Sequence, residues 1–60
     1  MTKAEIYRLG KAVAQQGELL HTAIGWLYQL ENPASDISHA KIEALEKGHQ
    51  DASPNPKEQS

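Results

Sequence analysis

Apolar residues recur along the first half of the chain at alternating spacings of three and four. Ile6, Leu9, Val13, Leu20, Leu27 and Leu30 fall on this pattern, with Gln16 and Ala23 at its remaining positions. Such a/d spacing over residues 3–31, with no proline and few β-branched residues, predicts one long amphipathic helix. Gly10, Gly17 and Gly25 oppose it at about 1 kcal/mol each relative to alanine, so Gly17, near the middle, is the point where the helix would break. The glycines are spaced by seven and eight residues, which puts them along one side of such a helix. Small residues there admit the close approach of another helix backbone.

Asn32-Pro33-Ala34-Ser35-Asp36 interrupts the pattern. Pro33 cannot continue a helix, and it restricts Asn32 before it. Asn32, Ser35 and Asp36 are candidate caps for a second, shorter helix running to about Lys47. That helix would carry Ile37, Ala40, Ala44 and Leu45 on one side, with Ile42 nearby and Glu43–Lys47 as an i,i+4 pair. Gly48 is a natural stop. From His49 onward the chain has two prolines and no large apolar residue, which predicts a disordered tail. The expected organisation is therefore all-α: a helical hairpin over residues 1–48, long helix then short helix, and a tail over 49–60.

A two-helix hairpin leaves much of its long arm uncovered. On the heptad frame Leu19 and Trp26 fall at g and Ile24 at e, so apolar residues spread well beyond the a/d seam. A helix apolar around most of its circumference is surrounded by partners, and self-association is the simplest source of them. An antiparallel dimer of hairpins, forming a homo-oligomeric four-helix bundle, is expected. Leu20, Ile24, Trp26, Leu27 and Leu30 are its expected self-interface, and His21 an expected polar group at a helix interface.

Composition narrows the classes. Sixty residues make at most one domain and leave little room for a multi-loop catalytic cleft. The absence of cysteine excludes disulfides and thiolate chemistry, and a small domain without staples fits a reducing cytoplasm. Glu5 and Arg8 interrupt any signal-peptide core. The longest uncharged run, Leu19–Leu30, is twelve residues, short of the ~20 that span a bilayer, so no membrane partner is expected. The net charge is −2, which argues against a general nucleic-acid coat. Residues 1–17 carry Lys3, Arg8 and Lys11 against Glu5, residues 18–31 carry only Glu18 and Glu31, and the remainder is net acidic.

The candidate chemistry is sparse. No two of His21, His39 and His49 are spaced at i,i+3 or i,i+4; His39 and Glu43 are, which is two metal ligands at most. There is no nucleophile elbow, phosphate loop or zinc-protease motif. Neither an enzyme nor a cofactor or metal site is expected. Tyr7 and Tyr28 share an outward stripe, and tyrosine is enriched at binding hot spots. Tyr7, Arg8, Lys11 and Tyr28 are accordingly the expected partner contacts.

The leading expectation is a self-associating helical protein that binds another protein and occludes or bridges it. Short cysteine-free chains of this kind are common among accessory factors of phages and mobile elements. An alternative uses the Lys3/Arg8/Lys11 patch to bind RNA or DNA. In size and in its opening Met1-Thr2-Lys3 the chain is similar to small plasmid-encoded RNA-binding helical hairpins of the Rop type, with no shared motif. A second alternative is a small-ligand pocket between subunits around His21 and Trp26.

Overall fold

The computed structural model describes residues 1–31 and 34–52, and among these the chain is all-helical. Helix α1 spans Lys3–Gln15, α2 spans Leu20–Leu30, a 3-10 turn covers Ala34–Asp36, and α3 spans His39–Ala52. Three helices thus replace the expected two. Asn32, Pro33 and residues 53–60, most of the expected tail, lie outside the described residues.

The long helix divides at Gly17. Helix α1 opens with a capping box: the Thr2 hydroxyl accepts from the Glu5 amide at 3.2 Å, and the Thr2 amide donates to the Glu5 carboxylate at 2.8 Å. It closes in a Schellman motif, with the Gly17 amide donating to the Ala14 carbonyl at 2.9 Å and the Glu18 amide to the Val13 carbonyl at 3.1 Å. This geometry requires the left-handed backbone that Gly17 adopts, at φ 81°. The heptad spacing ran through the break because both halves of the pattern face one core. Once α2 folds back, Ala23 and Leu27 meet Ile6, Val13 and Leu45 in a single buried cluster.

Helix α3 starts one step later than expected and ends later. The Ser38 hydroxyl accepts from the Lys41 amide at 3.3 Å, so Ser38 supplies the first-turn cap rather than Asn32, Ser35 or Asp36. Gly48 does not stop the helix, which continues through His49 to Ala52. Its role is different: α1 and α3 cross with almost nothing between their backbones. A methyl group at Gly10 would overlap the Leu45 carbonyl oxygen and lie 2.8 Å from the His49 amide nitrogen. A methyl at Gly48 would overlap the Tyr7 carbonyl oxygen and lie 2.9 Å from the carbonyl carbon. Each glycine therefore receives the other helix's main chain. Of the three glycines expected to line one side of a helix, only Gly10 serves close approach. Gly25 has open space around it.

Polar contacts join the ends of the helices. Glu31, at the close of α2, is only 7% exposed. Its carboxylate takes the Met1 ammonium at 3.0 Å and the Lys41 Nζ at 3.1 Å, tying the starts of α1 and α3 to the end of α2. The ammonium hydrogen bond first, and the Lys41 hydrogen bond second, hold this carboxyl below the ordinary glutamate value. At the opposite end the His49 Nε2 donates to the Glu18 carbonyl at 2.8 Å, which fixes the α1–α2 turn against α3.

Two predictions follow from this packing. Gly48→Ala should lower stability by about 1–3 kcal/mol despite the better helix propensity of alanine, whereas Gly25→Ala should raise it by about 0.5–1 kcal/mol. Urea unfolding followed by circular dichroism separates the two, and equal effects would contradict the close crossing. Glu31 titrates lower in the folded chain than in the unfolded one, so its contribution is fully present above the ordinary glutamate value. That contribution should be lost as pH falls through the lower folded value. The difference in melting temperature between the native chain and Glu31→Gln should therefore be large at pH 7 and close up on acidification. A difference independent of pH would exclude the ion pairs as its source.

Candidate docking surface on helix α2

Helix α2 carries no charged residue between Glu18 and Glu31, yet it covers only part of itself. Ala23 and Leu27 are fully buried, and Leu20 and Ile24 pack half-buried against the same core. Beside this stripe lies another that stays exposed among the described residues. Leu19 is 70% exposed, Trp26 49% and Leu30 52%. Trp26 and Leu30 are neighbours at i,i+4, and Leu19 lies seven residues before Trp26, so the three follow one flank of the helix.

Leu19 is the most unusual of them. It occupies the N-cap of α2 in an extended backbone conformation and makes no side-chain capping bond. Leucine is among the poorest residues there, since it leaves first-turn amides without an acceptor. A residue that suits neither its backbone position nor its solvent exposure breaks two local preferences at once.

An open cleft of about 270 Å³ runs along the same flank where α1 meets α2, lined by Ala12, Val13, Gln16, Glu18, Thr22 and Trp26. No cation lines it. Among the described residues the Glu18 carboxylate has no ion-pair partner within 4 Å.

The residues expected to serve self-association are divided by the fold. Leu27 belongs wholly to the chain's own core and does not reach the surface, while Leu20 and Ile24 reach it only in part; Trp26 and Leu30 are open. A second copy was expected because a short helix could not cover a long one, and the fold-back of α2 on α1 supplies part of that cover. The expected partner contacts divide as well. Tyr7 is half-buried, and its hydroxyl donates to Asp51 at 2.5 Å. That hydrogen bond to a carboxylate raises the phenol above its ordinary value. Lys11 places its ammonium 5.8 Å from the Tyr7 ring centroid, and the Lys47 Nζ stands 4.0 Å from the Asp51 carboxylate. Tyr7 thus faces α3 within the chain and Lys11 lies over its ring, whereas Arg8 is exposed and Tyr28 is exposed on the flank of α2 opposite Trp26.

The histidines do not converge. His39 and Glu43 meet at 3.2 Å on an exposed face, and no group of three metal-binding side chains occurs among the described residues. His21 is exposed and does not line the cleft. Among the described residues no helix is long and apolar enough to cross a membrane. No protein-family model, curated protein or solved structure matches the chain.

The buried and open stripes of α2 should differ sharply in their weight for folding. Leu27→Ala should cost about 2–5 kcal/mol, while Trp26→Ala and Leu30→Ala should each cost less than about 1 kcal/mol. Comparable losses in urea unfolding would mean that the open flank is covered in solution.

Proposed function

We propose that the protein is a helical docking module that seats an apolar segment of another protein on the open flank of α2. It acts by occlusion, covering part of its target or bridging it to something else. The observation that carries this reading is Leu19: an apolar side chain held in solvent at a capping position that a serine or aspartate would serve better. Local rules of this kind are broken where function sets the residue. Trp26 supports the reading, because tryptophan gives large contact area at small entropic cost and dominates binding hot spots. The absence of charge from Leu19 to Leu30 supports it further, since the centre of a protein interface is depleted in charged residues. Nucleic acid is the weaker candidate: the chain is net acidic, and Lys11 of the basic patch is already engaged with Tyr7.

Site-specific photocrosslinking of the full chain in its native cells tests this. A benzophenone amino acid at position 26 or 30 should form an adduct with one protein species, and the same group at position 43 or 46 on α3 should not. Leu19→Ser should abolish that adduct while raising stability by about 1 kcal/mol through the restored cap. An adduct of the chain with itself alone would overturn the reading and make the flank a self-interface. Adducts formed equally from all four positions, or from none, would also overturn it.

A further inference from the structure

We infer that the cleft beside Trp26 receives a basic side chain, the lysine or arginine of the docked segment. This rests on the docking reading above and names the chemistry of the partner. The lining divides by type. Ala12 and Val13 offer an apolar base against which the methylene stem of a long cationic side chain can lie. Trp26 has the ring with the strongest attraction for a cation. Glu18 supplies the carboxylate, and Gln16 and Thr22 bring an amide oxygen and a hydroxyl that accept hydrogen bonds from an ammonium or guanidinium.

Charge leaves little choice of occupant. Residues 12–30 contain no lysine or arginine, and among the described residues Glu18 is the single charge lining the cleft. An anion there would be repelled by Glu18, while a cation would be attracted to it. Glu18 is also held in place on both sides. Its amide donates to the Val13 carbonyl at 3.1 Å, and its own carbonyl accepts from His49 at 2.8 Å. The turn therefore presents the carboxylate from a fixed backbone, which reduces the ordering that binding would otherwise require. The cleft shares Trp26 with the flank that bears Leu19 and Leu30, so one segment with a basic residue among apolar ones meets both features.

The test uses the full chain, isotope-labelled, titrated with a capped Leu-Ala-Ala-Arg-Leu peptide and with its citrulline counterpart, which keeps the shape and removes the charge. The arginine peptide should shift the Trp26 indole N–H and Thr22 amide resonances and bind roughly tenfold more tightly than the citrulline peptide, the scale of one cation–π contact and one partly exposed ion pair together. Glu18→Gln should narrow the preference to about two- to fivefold, the share of the cation–π contact that remains. The fold of that variant is checked by unchanged resonances elsewhere, since the backbone of Glu18 and not its carboxylate holds the turn. Equal binding of both peptides, with shifts along Leu19, Trp26 and Leu30, would overturn the cation site and leave the docking reading standing. No shift with either peptide at millimolar concentration would also overturn the cation site, and crosslinking from position 26 would then decide the docking reading separately.

Discussion

The crossing of α1 and α3 governs the rest of the molecule. Gly10 and Gly48 let the two main chains meet without intervening side chains, and interlocked backbones of this kind tolerate no added methyl. Around the crossing the larger side chains complete the pair: Ile6 and Leu45 are fully buried, and Tyr7 reaches Asp51 across the seam. Helix α2 lies against the pair through one stripe, and its flank stays open.

That geometry joins the fold to the functional reading. A short chain has few ways to expose apolar surface while remaining folded, because every large side chain withheld from the core weakens it. Here the core is completed by small and medium residues, namely Ala23, Val13, Leu27 and Leu45. The tryptophan, the largest apolar side chain available, is left half in solvent. The polar contacts are placed to hold the frame rather than the flank. Glu31 gathers the helix ends on one side, and His49 secures the turn on the other.

The helical class and most of the core residues were legible from spacing alone, because a 3-4 repeat reports which side chains face inward whether the helix is continuous or broken. Where the helix broke was harder to read. Gln16 and Ala23 kept the repeat in phase across Gly17, so periodicity carried no mark of the turn, and only the glycine itself marked it. Thr2-x-x-Glu5 is a capping box that a closer reading of the first residues would have found. Gly48 was ambiguous for a physical reason: a glycine near the end of a helical pattern suits a C-cap and a close backbone approach equally well, and tertiary packing decides between them. Tyr7 looked outward because the second helix was expected to end near Lys47, which left Asp51, its hydrogen-bond partner, in the tail. The cleft was out of reach of sequence because it exists only where α2 turns back on α1.

The docking proposal depends on the Trp26 flank of α2 standing open, as it does among the described residues. The chain has one tryptophan and it lies on that flank, so acrylamide quenching of its fluorescence reports on the surface directly. The account predicts red-shifted emission and efficient quenching that do not change as the purified protein is concentrated from the low micromolar to the millimolar range. Blue-shifted emission that acrylamide cannot reach, at low micromolar concentration and with no other protein present, would contradict it.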